Sequence, residues 1–109
     1  MELLILAAGR GSRLGEITKN MPKGLIKING KSLIERQIEI VNNELNIDNI
    51  YIAVGYKSEK FSFLKNIKRL NIPNWHKFNM LGTFLSAIAL NEIDTSKDLL
   101  ITYGDIFLK

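Results

Sequence analysis

The chain has 109 residues, 46% of them apolar, which is enough for one small domain with a core and not for two. The absence of cysteine and the presence of a single histidine, His76, exclude disulfides, thiolate chemistry and Cys- or His-rich metal sites. The formal charge of +4 is spread along the chain without a block of like charges, so it suits an anionic ligand but does not single out nucleic acid.

Taken in chain order, Glu2 to Ala7 reads as a fully buried strand: continuous apolar residues, then a glycine. The apolar run Leu3 to Ala8 has no basic region before it and is too short for a signal peptide or a membrane span. A cytoplasmic protein with no membrane partner is the expectation. Residues 9 to 31 read as a long loop, with Asn29-Gly30 as a tight turn. Ser32, three residues before Glu35, has the form of a capping box, and the helix it opens carries Ile34, Ile38, Val41 and Leu45 on one face. Asn49 to Val54 is a second strand, ended by Gly55. Ser58 to Asn66 reads as a short helix, and Lys68 to Ile72 as a weak third strand stopped by Pro73. Leu81, Phe84, Leu85 and Ile88 give a second amphipathic helix over residues 81 to 92, and Leu99 to Tyr103 a fourth strand before Gly104-Asp105.

Strands alternating with helices argue for an α/β fold: a Rossmann-like three-layer sandwich around a mostly parallel sheet of about four strands. Ligands of such sheets collect outside the carboxyl ends of the strands. The unusual segments of this sequence fall there: Gly9 to Lys23, Gly55 to Lys57, Asn74 to Gly82, and Gly104-Asp105.

The first of these segments, "AAGRGSRLGEITKNMPKGL", follows a buried strand with two glycines and basic side chains. Without a Cβ, Gly9 and Gly11 let backbone N–H groups approach an anion closely. Arg13 can fork two donors onto phosphate oxygens, and Lys23 adds a compact charge. The P-loop pattern does not occur. The dinucleotide pattern would need glycine where Leu14 stands and an acidic residue where the second strand ends in Gly55, which argues against hydride transfer.

The order strand, G-x-G-x-R-L, loop, P-K-x-L resembles the opening of the nucleotidyltransferases that activate sugar phosphates and phosphocholine. "VGYKSEKF", "NMLGTFLSA" and "LLITYGDIFL" are similar to the same superfamily, the first especially to its choline-phosphate cytidylyltransferase branch. The resemblance implies attack by an acceptor phosphate on the α-phosphorus of a nucleoside triphosphate, with release of pyrophosphate. CTP is favoured, and a phosphocholine-like metabolite or a sugar 1-phosphate is the acceptor, for surface glycan or lipid precursors. It implies Leu6, Ala7, Ala8, Gly9, Gly11, Ser12 and Arg13 around the nucleotide, Arg13 and Lys23 as catalytic cations, and Asp105 as a ligand of Mg²⁺. Tyr56, Asn79 and Ser86 would lie near base, ribose or acceptor.

Each assignment has a plainer counterpart. Arg13 and Lys23 could be solvated charges, Asp105 could close a turn, Tyr56 could pack, Asn79 could cap the second helix, and Ser86 could bond its own backbone. Members of the resembled family are more than twice as long. The expectation is that residues 1–109 are the nucleotide-binding half, with the acceptor-binding part and a second acidic metal ligand absent, and with an exposed sheet edge open to self-association. The alternatives are a non-catalytic nucleotide-binding or assembly module, an inactive fragment of such an enzyme, and an RNA-binding domain that would rest on charge alone.

Overall fold

The computed structural model describes residues 1–8, 22–77 and 79–104. Four strands form a parallel sheet: β1 (Glu2–Ala7), β4 (Asn49–Val54), β5 (Lys68–Asn71) and β6 (Leu99–Tyr103), in the order β5-β4-β1-β6. A short antiparallel hairpin, β2 (Lys27–Ile28) and β3 (Lys31–Ser32), stands apart from it. The two long helices are α1 (Leu33–Glu44) and α2 (Met80–Ala89).

β1 is central because both of its faces are apolar. Leu4, Leu6 and Ala8 look toward one layer with Tyr51, Ala53, Leu70 and Ala87; Phe84 and Ile88 of α2 pack there. Leu3 and Ile5 look toward the other with Ile52, Val54, Phe61, and Ile34 and Val41 of α1. The sheet is therefore sandwiched between α2 and α1, the expected three layers. In-register pairing of Leu4 with Tyr51 and Leu6 with Ala53 keeps each face consistent across strands.

The capping box forms as read: the Glu35 N–H donates to Ser32 Oγ at 3.1 Å, and the Glu35 carboxylate accepts from the Ser32 N–H at 3.1 Å. On α1, Gln37 is as buried as the leucines. Its side chain donates to the Tyr103 carbonyl at 2.6 Å and accepts from the Thr102 hydroxyl at 3.0 Å, so the helix holds the edge strand β6 directly. At the amino edge of the sheet, the buried Glu2 carboxylate accepts from Asn49 and from the Tyr51 hydroxyl. Burial first, then the Glu2 hydrogen bond and charge, push the Tyr51 phenol above its ordinary value.

Several expectations need correction. The stretch from 22 to 31 is not plain loop: it holds a 3-10 turn at Lys23–Leu25 and the β2–β3 hairpin, whose Asn29 (φ 53°) and Gly30 (φ 85°) make a left-handed two-residue turn. Ser58 to Asn66 is a 3-10 turn over Ser58–Phe61 followed by irregular chain. No side chain caps its start, Leu64 N–H bonds back to Phe61 at the short i−3 spacing, and Asn66 is left-handed. Helix α2 begins one residue earlier than read and ends at Ala89, because Asn91 is left-handed. Leu45 caps α1 and is exposed. Leu81 and Leu85 are also exposed, at 63% and 56%. They lie about 200° around the helix from Thr83 and Ala87, whose small side chains let α2 settle closely on the sheet.

Candidate nucleotide site at the carboxyl edge of the sheet

The carboxyl ends of the strands converge through backbone contacts. Tyr56 N–H donates to the Ala8 carbonyl at 2.9 Å, and Gly104 N–H donates to the Leu6 carbonyl at 2.9 Å. The ends of β4 and β6 are thus tied to either side of the last residues of β1. Pro22 is fully buried, and its carbonyl accepts from Leu25 N–H at 3.0 Å, so the proline anchors the turn that Lys23 opens.

Two glycines bring that turn against β6. A Cβ on Gly24 would stand 2.8 Å from the Gly104 carbonyl oxygen and 2.7 Å from Ile34 Cδ1. A Cβ on Gly104 would stand 2.9 Å from the Ala7 Cβ. The backbones of Gly24, Ala7 and Gly104 are therefore close neighbours only because two side chains are missing. Gly55 plays a similar part on the other flank. A Cβ there would come within 2.3 Å of the Trp75 ring, which sits against the end of β4 and packs on the core. Trp75 meets the Tyr56 ring edge-on, centroids 5.7 Å apart and planes at 67°. The Lys57 ammonium lies 5.6 Å from the Tyr56 ring centroid.

Of the residues singled out from sequence, Leu6, Ala7, Ala8 and Tyr56 come together here, and Lys23 opens the turn whose Gly24 lies against Gly104. Gly9, Gly11, Ser12, Arg13 and Asp105 lie outside the described residues. Asn79 caps α2: its side-chain oxygen accepts from Gly82 N–H at 2.9 Å. Ser86 sits half-buried inside α2, and its carbonyl accepts from Leu90 N–H. The seat of Trp75 on Gly55 and Tyr56 and the packing roles of Gly24 and Gly104 were not foreseen. Sequence carried one usable hint, a tryptophan just after the Pro73 that ends a strand. Among the described residues no group of three or more His, Cys, Asp or Glu could hold a metal, and no helix is long and apolar enough to cross a membrane.

Residues 3–108 match the family described as MobA-like NTP transferase domain. The chain belongs to that family. A choline-phosphate cytidylyltransferase of Streptococcus pneumoniae is 51% identical over 92 residues, spanning 84% of this chain and 40% of the relative. A CTP:phosphoglutamine cytidylyltransferase of Campylobacter jejuni is 35% identical over 115 residues, spanning 97% of this chain and 44% of the relative. The solved structure of a CTP:phosphocholine cytidylyltransferase from Streptococcus pneumoniae superposes with a TM-score of 0.83 at 34% identity, over 98% of this chain and 46% of that one. The α/β, Rossmann-like architecture is thus shared with a nucleotidyltransferase. The chain spans less than half the length of each of these relatives.

Proposed function

We propose that the protein is a nucleotidyltransferase that moves a nucleoside monophosphate from a triphosphate, CTP first, to a small phosphorylated acceptor such as phosphocholine. Residues 1–109 are its nucleotide-binding half. An acceptor phosphate oxygen bonds to the α-phosphorus, the bond from that phosphorus to the bridging oxygen breaks, and pyrophosphate leaves. The attacking oxygen is already ionised, so the work is positioning and charge neutralisation rather than proton transfer.

The observation that carries this reading is the Gly24–Gly104 contact. It makes backbone neighbours of the turn bearing Lys23 and the residue preceding Asp105. Lys23 is then one residue from the contact on one side and Asp105 one residue from it on the other, as a phosphorus between an ammonium and a carboxylate-held cation requires. The amides around Gly9, Gly11 and Ser12 follow directly on Ala8 and would cradle the β- and γ-phosphates with Arg13. Leu6, Ala7 and Ala8 offer main-chain groups to the base. The identity to two cytidylyltransferases supports CTP over UTP and dTTP.

Asp105 would be the protein's ligand to Mg²⁺, completed by substrate phosphates, since hard oxygen donors are what that ion takes. The cation would supply charge neutralisation at the phosphates. Asn79 is already engaged as a helix cap, so a role toward ribose or acceptor would fall to its amide nitrogen.

Pyrophosphate release from CTP with phosphocholine, beside other triphosphate and sugar-phosphate pairs, tests the reading. Lys23→Ala separates it from a non-catalytic nucleotide-binding module. The variant should lose transfer while binding triphosphate only several-fold more weakly. Equal transfer rates in the two proteins would contradict the role given to Lys23.

A further inference from the structure

Five residues other than glycine adopt positive φ among the described residues. Four are asparagines: Asn29, Asn66, Asn74 and Asn91. Asparagine tolerates this conformation through its short polar side chain. The fifth is Lys57, at φ 47° and ψ 49°, which gains no such help and makes no side-chain cap to the 3-10 turn it precedes. The chain accepts a backbone penalty at one position where its own pattern would place asparagine or glycine. Strain of this kind persists where the side chain is needed.

What the side chain does inside the fold is slight. The ammonium rests 5.6 Å from the Tyr56 ring centroid, near the outer limit for a cation–π contact. None of the ion pairs among the described residues involves Lys57. Its place is specific nonetheless. Tyr56, the residue before it, is hydrogen-bonded to the Ala8 carbonyl, and Ala8 immediately precedes the glycine loop in sequence. A cation without a carboxylate partner among the described residues stands at this edge of the sheet, held there at conformational cost.

We propose that Lys57 is a further anion-binding residue of this site, with a phosphate group of a bound substrate as its counter-ion. The inference rests on the nucleotidyltransferase reading and adds a third cation to Arg13 and Lys23. The phosphate could belong to the triphosphate or to the acceptor, and the two are separable by titration.

The test uses calorimetric titration of the chain with CTP and Mg²⁺, and separately with phosphocholine, on the parent protein, Lys57→Asn and Lys57→Arg. Asparagine removes the charge while suiting the backbone, so the melting temperature should hold or rise. Loss of one charge-assisted contact should weaken one of the two ligands about tenfold or more, and that arm names the phosphate. Lys57→Arg should restore binding. Lys57→Asn that binds both ligands as the parent does overturns the inference alone. So does weakened binding that tracks a fall in melting temperature and is not rescued by arginine. A parent protein that binds neither ligand overturns the functional reading first, and this inference with it.

Discussion

Placing a methyl group on Gly24 should damage both stability and function, and the size of the effect can be worked from the contacts. The new Cβ would meet Ile34 Cδ1 at 2.7 Å, the Gly104 carbonyl oxygen at 2.8 Å and Ile34 Cγ1 at 3.0 Å. Comfortable separation is about 3.5–4.0 Å, so the turn must retreat by something near 1 Å. Ile34 is fully buried between α1 and the sheet and cannot swing into solvent. The Gly104 oxygen is main chain, on a residue whose N–H is bonded to Leu6. Neither neighbour can yield cheaply, and overpacking of this kind costs about 1–3 kcal/mol. For a domain of this size each kcal/mol lowers the melting temperature by roughly 4–8 °C, giving a fall of about 4–24 °C for Gly24→Ala by circular dichroism. Gly30→Ala is the internal comparison. It is strained by its φ of 85°, yet nothing lies within 4 Å of the added methyl. It should lose stability, by about 1–2 kcal/mol, while leaving triphosphate binding alone. Gly24→Ala should weaken binding as well, because the displaced turn carries Lys23. A Gly24→Ala protein that melts with the parent and binds triphosphate equally well would refute the packing argument.

Two further outcomes follow from the same contacts. Tyr51 has its proton held more tightly in the fold than its ordinary 10.0, so its contribution is intact below that value and fades as pH rises through the elevated folded pKa. Urea titrations on either side of that pH should show the decline in the parent and a flatter profile in Tyr51→Phe, which also loses about 1–3 kcal/mol at neutral pH with its hydrogen bond to the Glu2 carboxylate. Asn79→Ala should cost about 0.5–2 kcal/mol in thermal melts by removing the cap on α2, whereas Asn79→Ser, which can still cap, should recover most of it.

How much could be read beforehand depended on how local the cause was. β1 and β4 were legible because their apolar runs end at glycines, and α1 because Ser32 and Glu35 announce its first turn. Convergence of the carboxyl ends followed from parallel topology alone. The orientation of α2 was not legible. Its apolar residues run all round the helix, so periodicity cannot say that Thr83 and Ala87 face the sheet while Leu81 and Leu85 face outward. The burial of Gln37 was not legible either, because its partners, Thr102 and Tyr103, lie far along the chain. The segment after Lys57 read as a short helix, but only Phe61 has a fully buried seat, and one anchor does not propagate a helix. At the site, the glycines were visible as loop formers. Their second use, letting the turn at Gly24 and Gly104 touch, needed three dimensions.

The polar cluster at the opposite edge of the sheet has a bearing on this chemistry that its distance conceals. Glu2 faces Asn49 across the central strand pair, and both carboxylate oxygens accept from that amide at 3.1 Å. Sliding one strand by a single residue would strand an anion in hydrocarbon, a far worse fault than any mismatch among interchangeable leucines. The alignment is thereby keyed at the amino edge of the sheet. Because parallel strands advance in step, the setting made at Glu2 arrives unchanged at the bond between Ala8 and Tyr56. Substitutions at Glu2, some six residues upstream, would therefore disturb the backbone at the carboxyl edge without touching it.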